Sequence, residues 1–96
     1  MIVHIVMFQF KEEQKSENTA KAKAMLEALV AKIDPLLSME VGIDFSGSER
    51  AMDLSLISTF GTKEALAEYA VHPAHLEVVA FIREVTTQSK VVDYEK

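Results

Sequence analysis

The chain has 96 residues, no cysteine, and 15 acidic against 10 basic side chains, for a formal charge of −5. That length suits one folding unit over residues 1–96 with a modest core, and the missing thiols exclude disulfides, thiolate metal sites and a cysteine nucleophile. The acidic balance, with only Arg50 and Arg83 as isolated arginines, argues against nucleic acid and anionic membranes as partners.

Residues 2–10 read as a strand. Ile2, His4, Val6, Phe8 and Phe10 share one face, and Val3, Ile5 and Met7 share the other. Two apolar faces predict a central strand covered on both sides. The run is far short of the ~18 residues that a membrane span needs. No basic leader precedes it, so the expectation is a soluble cytoplasmic protein.

A charged turn at 11–15 leads into a helix expected to reach Asp34, capped by Ser16 or Asn18. Ala22, Leu26, Leu29 and Ile33 recur at helical spacing as one apolar stripe, and Pro35 ends it. Met39, Val41, Ile43 and Phe45 alternate with polar residues as a half-buried strand. After a turn at 46–50, residues 52–60 form the second strand of the pair. Thr62 caps a helix to about Ala70. His72-Pro73 starts another helix, because proline suits the first helical position. That helix runs to about Val85, and residues 86–95 form the last strand. The order strand, helix, strand, strand, helix, helix, strand is the split βαβ pattern of an α+β, ferredoxin-like antiparallel sheet with helices on one face.

Such a sheet leaves its other face bare. Val3, Ile5 and Met7, joined by Ile57, would keep a row of apolar surface wet at roughly 25 cal/mol per Å². The expected remedy is a second copy of the chain, packed sheet against sheet.

Polar chemistry gathers in Tyr69-Ala-Val-His-Pro-Ala-His75. With Pro73 first in its helix, His75 is third, where unpaired N–H groups disfavour imidazolium. A neutral ring there serves as base or hydrogen-bond donor. Tyr69 ends the preceding helix and offers a phenol. His4 is the one polar interruption on the helix-facing side of the first strand. The three converge if that face meets the helices, and they are suitable parts for removing a proton next to a carbonyl. Against this stand plainer readings: His75 and His4 as buried structural histidines, Tyr69 as core, and His72 as a helix cap. A metal held by His72 and His75 lacks an evident third ligand, since Glu77 or Asp93 would have to come from elsewhere. No Gly-rich phosphate loop or nucleophile elbow is present, so neither cofactor nor metal is expected.

The segments Val3-His-Ile-Val-Met-Phe-Gln-Phe-Lys11, Leu54-Ser-Leu-Ile-Ser-Thr-Phe60, the Tyr69–His75 element and Val91-Val-Asp-Tyr-Glu95 resemble, in order, the stress-responsive dimeric α/β-barrel (Dabb) family. The resemblance implies a ferredoxin-like protomer and a homodimer whose two sheets form a barrel. It further implies one of three roles. One is a stress-linked dimer that binds a small apolar ligand without assigned chemistry. The second is an acid–base enzyme like polyketide cyclases, with His75 as base, Tyr69 as its phenolic partner, His4 in the pocket and a carbonyl-bearing substrate. The third is a cofactor-free monooxygenase.

Overall fold

Strand β1 (Ile2–Phe10) lies in the middle of the sheet, as its two apolar faces require. The computed structural model describes every residue, Met1–Lys96. After β1 come α1 (Lys15–Glu27), β2 (Leu36–Ile43), β3 (Leu54–Phe60), α2 (Lys63–Ala70), α3 (Pro73–Val85) and β4 (Thr86–Glu95). The sheet order is β2-β3-β1-β4, with every neighbouring pair antiparallel. This is the expected ferredoxin-like α+β arrangement.

The core lies between the sheet and the helices. Ile2 and Phe10 of β1, Leu54, Leu56 and Phe60 of β3, and Leu36 and Val41 of β2 are buried there. They meet Ala22 and Leu26 of α1, Leu29 and Ile33 beyond it, and Val78 and Ile82 of α3. The stripe read from the sequence is therefore inward throughout. The helix that carries it is shorter than expected. α1 ends at Glu27, and a 3-10 turn (Ala28–Ala31) follows. Tightening the last turn keeps Leu29 and Ile33 on the core, at 1 % and 0 % exposed, before Pro35 leads into the next strand.

Neither Ser16 nor Asn18 caps α1. Gln14 takes the N-cap position in a left-handed conformation (φ 54°), with no side-chain cap. The backbone reversal after β1 begins the helix at Lys15, ahead of the start that either capping side chain would give. Thr19 is buried within it and donates its hydroxyl to the carbonyls of Lys15 and Ser16.

The β2–β3 hairpin also differs from the expectation. β2 starts at Leu36, directly after Pro35, and stops at Ile43, because its partner begins only at Leu54. A register shift between Leu36 and Ser38 adjusts the alternation. Phe45 therefore leaves the sheet and is wholly exposed in the connecting loop, and Ile43 is 43 % exposed.

On the open face, Val3 is buried within the protomer, contrary to expectation. It is flanked in register by Thr59 and Tyr94. Ile5 is half-buried, while Met7 and Ile57 are exposed and are joined there by Val92 and Tyr94 of β4.

Asp53 ties three elements at one end of the sheet. Its carboxylate accepts the Phe10 N–H at 2.7 Å, its own N–H donates to the Phe8 carbonyl at 2.8 Å, and Lys15 Nζ lies 3.4 Å from its other oxygen. Asp53→Ala strands a buried donor and should cost about 1–3 kcal/mol. Thermal unfolding should show a fall of at least ~4 °C, with Lys15→Met falling much less because its pair is solvated. Equal Tm values for Asp53→Ala and the parent would mean that water replaces the carboxylate.

Candidate functional site

Between α3 and the helix-facing side of the sheet lies a cavity of about 220 Å³. His4, Val6 and Phe8 of β1, Leu56 of β3 and Ser89 of β4 form its strand wall. Leu26, Tyr69, His75, Val78, Val79, Ile82, Arg83 and Thr86 form the rest. All three side chains picked from the sequence, His4, Tyr69 and His75, face this one space.

Local chain geometry brings them there. Tyr69 sits in the last turn of α2, and the reversal at Ala70–His72 folds α3 back so that His75 meets it. The Tyr69 and His75 rings are 4.2 Å apart between centroids, and the Phe60 ring is 5.0 Å from that of Tyr69. Tyr69 is 2 % exposed. Burial pushes its phenol up to about 12, so the hydroxyl keeps its proton. That hydroxyl is not sealed away from the cavity without a partner.

His75 has its Nδ1 3.1 Å from the carbonyl of Ala70. A carbonyl only accepts, so this nitrogen carries the proton and Nε2 keeps the free lone pair. Burial holds the ring below its ordinary value of 6.5. The hydrogen bond to Ala70 opposes that shift, and the nearby His4 and His72 add to it. The sequence pointed to the helix N-terminus as a reason for a neutral ring, and desolvation acts in the same direction.

His4 bonds through Nδ1 to the carboxylate of Asp93. The two residues are direct partners in the β1–β4 register. A carboxylate also only accepts, so His4 again presents Nε2 as its free nitrogen. The pair runs from inside outward, with side chains 18 % and 47 % exposed. The sequence offers Asp93 within the Val91–Glu95 segment and as a remote metal ligand, but does not pair it with His4. Drawing the antiparallel register of the first and last strands would have set it opposite His4. Arg83 and Ser89 were missed as well, since nothing local marks them as cavity residues.

His72 does what its plainer reading expects. Its Nδ1 accepts the N–H of Ala74 at 3.0 Å and caps α3. With Nδ1 spent on accepting that N–H, neutral His72 carries its proton on Nε2 and has no lone pair left for a metal.

The comparisons point one way. The family model described as the stress responsive A/B barrel domain matches residues 2–96. The stress-response A/B barrel domain-containing protein HS1 of Arabidopsis thaliana is 30 % identical over 96 residues, covering 98 % of this chain and 88 % of that protein. A crystal structure of a dimeric protein of unknown function with a ferredoxin-like fold, from Bacteroides fragilis, superposes with a TM-score of 0.91 at 29 % identity, covering 99 % of this chain and 95 % of that one. The hydroxynitrile lyase of Passiflora edulis shares the fold at 18 % identity, with a TM-score of 0.85 and coverage of 97 % and 90 %.

The two shifted groups predict opposite pH limbs. Folding favours neutral His75, so its contribution is present above pH 6.5 and is lost as pH falls through the lower folded value. Folding also favours neutral Tyr69, so its contribution is present below pH 10 and is lost as pH rises towards 12. Urea unfolding across pH should show the acid loss reduced in His75→Gln and the alkaline loss reduced in Tyr69→Phe. Limbs parallel to those of the parent would contradict both shifts.

Proposed function

The chain belongs to the stress-responsive A/B barrel domain family, and we propose that it works as a homodimer in which each protomer binds a small, largely apolar carbonyl compound and moves a proton on it. One observation carries the reading. A desolvated imidazole with a free Nε2 stands against a phenol that holds its proton, in a cavity that a second imidazole backed by a carboxylate also lines. A buried structural histidine needs none of these neighbours.

The chemistry follows from the tautomers. His75 Nε2 takes a proton from the carbon beside the carbonyl, and the electrons of that C–H bond pass to the oxygen as an enolate. Tyr69 donates a hydrogen bond to that oxygen, and its high proton affinity keeps it a donor rather than an acid. The imidazolium of His75, unstable where desolvated, returns the proton as the enolate closes on a second carbonyl or is quenched. His4 is the second acceptor, with Asp93 holding its orientation. The Passiflora neighbour is named for lyase chemistry on hydroxynitriles, which likewise needs a base. At about 220 Å³ the cavity lies below the usual range for drug-sized ligands, which favours a small substrate.

The dimer reading rests on the open sheet face. Met7, Ile57, Val92 and Tyr94 are 39–52 % exposed across three adjacent strands. A patch of that kind marks an association surface, and the Bacteroides fragilis relative is described as dimeric.

Sedimentation equilibrium at micromolar concentration should give twice the protomer mass of 10.7 kDa, and Ile57→Asp should shift it towards one protomer. A well-folded parent protein at 10.7 kDa would refute the dimer. In a panel of β-dicarbonyls and cyanohydrins, turnover should fall ~10²–10⁴-fold in His75→Ala. His72→Ala should retain turnover at a temperature where it is folded. Equal rates in the two variants would reject His75 as the base.

A further inference from the structure

The cavity has a second end, which proton transfer leaves without a task. Exposed Arg83, in the last turn of α3, lines it together with exposed Ser89 of β4. No carboxylate lines the cavity, and Arg83 takes part in none of the protein's ion pairs. A guanidinium stays charged at any working pH. Arg83 is thus the one permanent charge on the cavity wall, and it is positive in a chain of net −5.

Two rulers set the distance between the ends. His75 and Arg83 are eight positions apart on α3, about 12 Å at 1.5 Å per residue. On the sheet, His4 pairs with Asp93 and Phe8 pairs with Ser89. Those pairs are four residues apart, about 13 Å along the strand. Val6, Leu56, Val79 and Ile82 line the apolar stretch between. Of the hydroxyls at the far end, Thr86 spends its proton on the Ile82 carbonyl at 2.8 Å, whereas Ser89 is committed to no partner.

We propose that the ligand is a small, elongated carboxylate. Arg83 binds its anionic group with help from Ser89, and its apolar chain carries the reacting carbonyl towards His75 and Tyr69. The paired N–H donors of a guanidinium match the two oxygens of a carboxylate. One arginine balances one charge, and the apolar stretch suits an alkyl chain better than a nucleotide or sugar phosphate. This inference rests on reading the cavity as a ligand site and deepens the proposed function by naming the ligand class.

The test uses octanoate and octanamide, which match in length and differ in charge. Both are titrated into the full chain by calorimetry at low salt, with amide shifts followed by NMR. Octanoate should bind at least tenfold more tightly than octanamide. In Arg83→Met, which keeps the apolar stem, the two should fall within twofold of each other while octanamide affinity holds. The amide spectrum of the free variant checks its fold. Equal affinities in the parent, a preference that survives Arg83→Met, or no binding of either probe would overturn the proposal. Binding and turnover fail separately. Carboxylate preference without His75-dependent turnover keeps the ligand class and rejects proton transfer. His75-dependent turnover without that preference does the reverse.

Discussion

Strand β1 is apolar on both faces, and the rest of the structure answers that constraint. A strand of this kind must be central, so β3 and β4 flank it and their hydrogen bonds satisfy both of its edges. One face is met by the helices and becomes the core. The other has no helix to meet it, and its apolar side chains stay partly exposed across β3, β1 and β4. The placement of β1 also creates the candidate site, because the single polar interruption on its helix-facing side, His4, is carried into the interior with the core face.

The states of the cavity's side chains follow from desolvation tied to backbone geometry. Neither histidine on the cavity owes its tautomer to chance. His75 spends Nδ1 on a carbonyl released by the end of α2, and His4 spends Nδ1 on the carboxylate opposite it in the sheet. Each is left with one free nitrogen. Burial then keeps His75 neutral and Tyr69 protonated, the states in which one accepts a proton and the other donates a hydrogen bond. Arg83 adds a permanent charge at the opposite end of the same apolar stretch. Acid–base groups and a cation, held apart by aliphatic walls, give the cavity a direction.

Much of this was legible from residue patterns. The helix-facing alternation of β1, the α1 stripe, Thr62 as a cap, and His72-Pro73 opening α3 all rest on local rules of period and capping, and the structure follows them. The failures share one cause. Ser16 and Asn18 are competent caps, but the chain reversal after β1 starts the helix at Lys15. Phe45 continues a clean alternation, yet no partner strand reaches that far, so it lies in solvent. Val3 is screened by Thr59 and Tyr94, neighbours more than fifty positions away. In each case a contact distant in sequence outweighed a local preference.

The amino-acid order by itself determined the element sequence, the sheet class and the candidates His4, Tyr69 and His75, because hydrophobic period, proline position and side-chain chemistry are local properties. Only the tertiary structure decided that Asp93 stands behind His4, that Ala70 orients His75, and that Arg83 shares their cavity. Those facts depend on strand register and on the packing angle of α3 against the sheet. Both are set by the summed burial of many distant side chains, which no short stretch of residues encodes.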